Sequence, residues 1–166
     1  VSEQDLRAMI DYASKFCERM FAKTGEISPM YHAVASNGEH FFSPALSADK
    51  DIGVAMIRAL FDLRDAVRYI FIDEAWTLDK PLTDPVELDW INRHGIRKHP
   101  QRVEVVMIVG EDRDAGMISA RRRIIRPKKG RAHLGPLEIT TDVGGDKTVQ
   151  TEGRMVGLLP VRGPRQ

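Results

Sequence analysis

The chain of 166 residues reads as an α+β protein, with two long helices on one face of a mixed, mostly antiparallel sheet of five or more strands, in the order α-β-β-α-β-β-β. Three observations predict this. Residues 67–76, VRYIFIDEAW, are apolar on both alternating faces, with Val67, Tyr69 and Phe71 on one and Ile70 and Ile72 on the other. The run is too short and too β-branched or aromatic for a helix, so it predicts a central strand buried on both sides. Residues 103–110 repeat the pattern, with Val103, Val105, Met107 and Val109 opposed to Val106 and Ile108. Two stretches, 2–24 and 48–65, carry apolar residues at three- and four-residue steps, the period of an amphipathic helix.

The first helix has one apolar stripe through Leu6, Ile10, Ala13, Cys17 and Phe21. Ser2 and Asp5 resemble a capping box at its start, and Gly25 is a stop signal. Asn37-Gly38 predicts a two-residue hairpin turn within 30–43. That turn pairs Ser36 with Glu39 and Val34 with Phe41, so His32 and His40 fall on opposite faces and cannot share a metal. The second helix follows Ser47 or Asp49 as cap, with Ile52, Ala55, Met56, Ala59, Leu60 and Leu63 as its core stripe. Val54, Ile57 and Phe61 lie nearly opposite and call for a further partner, the first helix or a second subunit. If the strands flanking this helix are parallel neighbours in one sheet, their crossover is right-handed.

After Trp76 a connection of some two dozen residues is too long to be structureless. Asp84-Pro85-Val86-Glu87 predicts a short capped helix closed by Gly95 and clamped by Val86 and Trp90. An exposed basic loop, 93–102, follows. Residues 116–126 form an antiparallel partner to the 103–110 strand, and its arginines suit an edge or a solvated face. Residues 134–140 add a strand that Pro136 confines to an edge or a bulge, and 155–161 offer a last strand. The whole is one domain over 1–166, with a mobile insertion at 78–100, a mobile 141–153 stretch and a loosely attached C-terminal segment 141–166. At Glu74-Ala75-Trp76, followed by EVVMIVGEDRDAG and GPLE, the chain resembles small bacterial hypothetical proteins with an Ile/Val-rich strand ending in Glu-Ala-Trp. The resemblance covers most of the chain; it implies this element order and assigns no activity and no functional residue.

Composition is that of a soluble globular protein, 42% hydrophobic and 30% charged. No apolar run reaches the roughly 20 residues of a membrane span, and one cysteine cannot form an internal disulfide, so the cytoplasm is the expected setting. The net charge of +1 hides an asymmetry: residues 1–92 hold 9 Lys/Arg against 16 Asp/Glu, and residues 93–133 hold 12 against 4. Such blocks either neutralise each other or mark a polyanion footprint.

Asp73 and Glu74 point to opposite strand faces and cannot act as a paired acid and base. Glu74, which shares a face with Ile70, Ile72 and Trp76, is the catalytic candidate, since a carboxylate beside an aromatic can have a raised pKa. The anion-binding candidates are Arg97, Lys98, Arg121, Arg123 and Arg126, with His94 and His99 in the same basic surroundings favouring an anion over zinc. Glu111, Asp112 and Asp114 lack the spacing of a calcium loop, and 144–148 lacks that of a phosphate loop. No cofactor or metal is expected. These readings rank a non-enzymatic, self-associating binding module, a homodimer, first. Nucleic-acid or other polyanion binding through 93–131 comes second, and an enzyme using Glu74 with nearby Arg and His third.

Overall fold

A computed structural model describes residues 1–80, 82–143 and 157–161. In chain order the elements are α1 (Ser2–Thr24), β1 (Met30–Ala35), β2 (His40–Pro44), α2 (Lys50–Arg64), β3 (Ala66–Thr77), α3 (Pro85–His94), a 3-10 turn (Ile96–Lys98), β4 (Val103–Asp112), β5 (Gly116–Ile125) and β6 (His133–Thr141). The fold is α+β: six strands make one open antiparallel sheet ordered β2-β1-β3-β4-β5-β6. Every adjacent pair is antiparallel and β1 lies between β2 and β3, so the strands flanking α2 are not parallel neighbours and the condition for a crossover does not arise.

The double-sided apolar pattern of β3 has a direct structural cause. Ile70 and Ile72 pack with Leu6, Ile10, Cys17 and Phe21 of α1, together with Val106, Ile108 and Ile118. Tyr69 and Phe71 pack on the other side with Ile57 and Phe61 of α2, Tyr31, Ala33 and Leu158. The helices therefore cover opposite faces, which corrects the expectation of both on one. A strand apolar on each side needs a cover on each side, and one helix supplies each.

That arrangement also reverses the expected orientation of α2. Ile57 and Phe61 are fully buried, whereas Ile52 is 55% exposed, Met56 44% and Leu63 82%. Phe61 sits 5.2 Å from the Tyr69 ring and edge-on to Tyr31 at 6.0 Å. An aromatic surface on the sheet selects the helix face that can match it.

The hairpin register differs from the expected one by a single residue. Ala35 N–H donates to Glu39 O at 2.8 Å and Gly38 N–H to Ala35 O at 2.9 Å, so three residues, 36–38, form the loop. Gly38 has φ 87°, while Asn37 is not in the positive-φ region that a two-residue turn of this type demands at both centres. The pairs are thus Val34 with His40 and His32 with Phe42. A slip of one residue moves alternate side chains to the other face. His32 and His40 end up on the same side.

The helix ends follow local chemistry in part. Asp49 caps α2 by accepting from Asp51 N–H and Ile52 N–H, and Asp84 caps α3 by accepting from Val86 N–H. Gly25, at φ 75°, closes α1 with its N–H on Phe21 O. The expected capping box on Ser2 does not form, because Ser2 is already helical and Val1 stands at the cap without a side-chain bond. At the other end of the sheet Pro136 lies in the edge strand β6, where a missing donor is tolerated. β5 is interior instead of an edge, since β6 pairs with it. Residues 157–161 carry no strand, and Leu158 is buried in the α2 core instead. The rest of the expected final strand, 155–156, lies outside the described residues, as does 144–153 of the stretch expected to be mobile. Among the described residues no helix is long and apolar enough to cross a membrane.

Candidate functional site

α1 presents Asp5, Ala8, Met9 and Tyr12 at steps of three and four, so these side chains share one face. The hairpin presents His32, His40 and Phe42 on one face through the register just described. Between them runs a groove of about 480 Å³, with Arg68 of β3 at its wall. That volume lies in the range of small-ligand sites.

His32 Nε2 and His40 Nδ1 are 2.8 Å apart, and one ring donates while the other accepts. His32 is buried, and among the described residues its Nδ1 has no hydrogen-bond partner. Burial lowers the His32 pKa to about 4, with the charge of His40 acting in the same direction. His32 stacks on Phe42 with ring centres 4.3 Å apart and planes 16° from parallel, and Tyr12 meets its edge at 5.9 Å. Tyr12 and Phe42 nonetheless remain 48% and 55% exposed. At the groove wall Arg68 Nε donates to the buried Asp112 at 2.7 Å, and Asp5 lies 3.5 Å from Arg68 Nη2. Asp112 is fixed in turn by accepting from Asp114 N–H and Ala115 N–H at 2.8 Å.

A second cavity of about 360 Å³ lies between α2 and the sheet, bordered by Lys50, Val54, Tyr31, Phe71 and Asp73. Burial raises the Asp73 carboxyl, against a bond accepted from Glu74 N–H and the charge of Lys50. Burial, with the Asp73 charge, pushes the Tyr31 hydroxyl up to about 12.

Glu74 is committed elsewhere. Its Oε1 accepts the Ile27 N–H at 2.8 Å and ties the α1–β1 loop to β3. Arg121 and Arg123 share Asp79 at 3.0 and 2.7 Å and Glu138 at 3.2 and 3.5 Å. Arg126 forms a two-pronged contact with Glu104 at 2.7 and 2.6 Å. Arg122, on the opposite face, is buried under α1, where it donates to Gly135 O at 2.6 Å and Ser14 O at 3.2 Å. Arg97 and Lys98 are exposed in the 3-10 turn and make no ion pair among the described residues. His99, expected in an exposed loop, is buried: it meets Glu87 at 2.9 Å and the edge of Trp90 at 5.6 Å. His94 stacks on the same indole at 4.6 Å. Val86, expected to help clamp α3, is 77% exposed. The five anion candidates therefore form no single free cluster: Arg121 and Arg123 are neutralised together by Asp79 and Glu138, and Arg126 by Glu104.

Cys17 is fully buried and burial pushes its thiol up to about 12, which suits a core residue. Among the described residues no group of three His, Cys, Asp or Glu side chains could hold a metal ion. The sequence hides the histidine pair because Asn-Gly signals a two-residue turn, which sends His32 and His40 to opposite faces. Ser-Asn-Gly with a single positive-φ glycine also fits a three-residue loop, and that reading brings the pair together. Comparison of the chain with family models, with curated proteins and with solved structures yields no match.

Proposed function

We propose that the protein is a non-enzymatic binding module that takes a small ligand in the groove between α1 and the β1–β2 hairpin. One observation carries this reading: the buried His32 joins the exposed His40 in an imidazole pair that lines a groove of about 480 Å³, and among the described residues His32 Nδ1 has no partner. A pocket of apolar walls with a few convergent polar groups is the usual form of a binding site. Reading it as a module instead of an enzyme is supported by Glu74 and the β5 arginines, which are all spent on other protein groups. A screen of small molecules by ligand-observed NMR tests the reading, with Tyr12→Ala/Phe42→Ala as control. Both residues are about half exposed, so the variant folds, and binders should be lost in it. Binders that persist undiminished in the variant would sink the idea.

Self-association is the second part of the proposal and is favoured by α2. Ile52, Met56, Ala59 and Leu63 recur at steps of four, three and four on its outward face, the spacing of a helix-pairing seam. The dimer surface expected from the sequence is either the Val54–Ile57–Phe61 side or a sheet face left open by the helices; α1 and α2 cover both within the chain, so the homodimer reading moves to this outer side. Light scattering should give twice 18.7 kDa for the native chain and 18.7 kDa for Leu63→Glu. A native monomer at high concentration removes this part alone. A cytoplasmic setting belongs to the same proposal and is supported by the single, buried thiol.

A further inference from the structure

We infer that the groove accepts an uncharged planar heteroaromatic ring, lying against Phe42 and Tyr12 and hydrogen-bonded at its edge to His40; the inference rests on the binding-module reading above. The walls decide the shape. His32 already covers one side of Phe42 in a near-parallel stack, yet more than half of Phe42 and nearly half of Tyr12 still face solvent along the same groove. Two large rings left wet against the buried His32 offer apolar faces that a third flat ring can cover.

The charges decide the polarity. Arg68 is held by Asp112 at 2.7 Å and approached by Asp5 at 3.5 Å. A ligand carboxylate would have to compete with two carboxylates for one guanidinium. A ligand cation would have to win the Asp5 carboxylate from Arg68 and then sit beside that guanidinium. The remaining polar edge is imidazole. His40 is exposed and lines the groove, and among the described residues its hydrogen bond runs through Nδ1, to His32. Its Nε2 is the edge group left for a ligand. Whichever ring carries the shared proton, a neutral heterocycle bearing both an N–H and a ring nitrogen can answer a donor or an acceptor there. A hydrocarbon ring of the same outline cannot.

Four probes of similar size separate the possibilities: benzimidazole, indene, benzoate and benzylamine. Binding is read from the imidazole carbon-bound proton signals of His32 and His40 at neutral pH. Benzimidazole should bind tightest, and His40→Ala should weaken it about fivefold, the worth of one hydrogen bond. Phe42→Ala should weaken benzimidazole and indene alike, by about tenfold. Benzoate or benzylamine binding more tightly than benzimidazole would overturn the uncharged-ring assignment while leaving the groove as a binding site. Indene equal to benzimidazole would overturn the role of His40. No binding by any probe at millimolar concentration would bring down the groove reading itself.

Discussion

The Nε2 of His32 lies 2.8 Å from the Nδ1 of His40, across a hairpin whose loop is one residue longer than its Asn-Gly dipeptide first implies. One hydrogen bond joins the two rings, and among the described residues the buried His32 keeps a second nitrogen without a partner. Burial and the neighbouring ring both oppose a positive charge there, which is why the His32 pKa falls to about 4.

This gives a stability profile with a definite sign. Between pH 6.5 and about 4 the unfolded chain binds a proton at His32 and the folded chain does not. Stability therefore rises with pH through that window and falls as the solution is acidified, by at most about 3 kcal/mol. Asp79, Glu87 and Asp142 are held low by Arg123, Lys80 and Arg7, so they add acid lability of their own at lower pH. Raised Asp73 works the other way. Denaturant unfolding of the native chain and of His32→Phe at a series of pH values isolates the imidazole. The variant should show the shallower slope between pH 6.5 and 4. Identical slopes would mean that His32 is protonated in the folded state.

Much of the fold is legible in the chain, and the misreadings share one physical origin. The strands 67–76 and 103–110 declare themselves because both alternating faces are apolar, and Asp49 and Asp84 declare helix starts through their own backbone bonds. Such signals are local. The side of α2 that meets the sheet is not, since Ile52-Met56-Leu63 and Ile57-Phe61 are both apolar and only Tyr69 and Phe71 choose between them. The arginines of β5 look like a free basic face until the fold brings Asp79, Glu104 and Glu138 to them from other segments. The groove failed for a smaller reason. A one-residue change in loop length exchanges the two faces of a strand, and no nearby residue argues strongly against either register.

Gly110 makes a second prediction about packing. It faces Ile70 across the β3–β4 pair, and a methyl group there would stand 2.6 Å from Ile70 Cδ1 and 2.9 Å from Leu6 Cδ1. All of these atoms lie in the α1 core, so Gly110→Ala should destabilise by about 1–3 kcal/mol through overpacking. Leu6→Ala alone should cost about 2–5 kcal/mol by leaving a cavity. The two changes are in contact, and the new methyl partly fills the space that Leu6 vacates. The double variant should therefore be more stable than the sum of the single losses implies. Strict additivity in denaturant midpoints would show that α1 does not approach β4 as closely as these distances require.

The last prediction concerns the basic block. A phosphate-binding face would need guanidinium groups free to exchange counterions for phosphates. Arg121 and Arg123 instead converge on Asp79 and Glu138, and the hydrogen bond from Arg123 is what chiefly holds the Asp79 carboxyl low. A phosphate would have to displace those carboxylates and then sit beside them. The double change Arg121→Ala/Arg123→Ala should accordingly leave duplex DNA binding negligible at about 0.15 M salt, as in the native chain. It should lower the melting temperature slightly, because Asp79 and Glu138 are left facing each other. If these arginines did grip phosphates, the native chain would bind measurably at that salt. The double variant would then show a salt dependence flatter by about two units, one for each lost contact. Micromolar binding by the native chain, lost in the double variant at unchanged melting temperature, would replace the charge-balancing role with a polyanion surface.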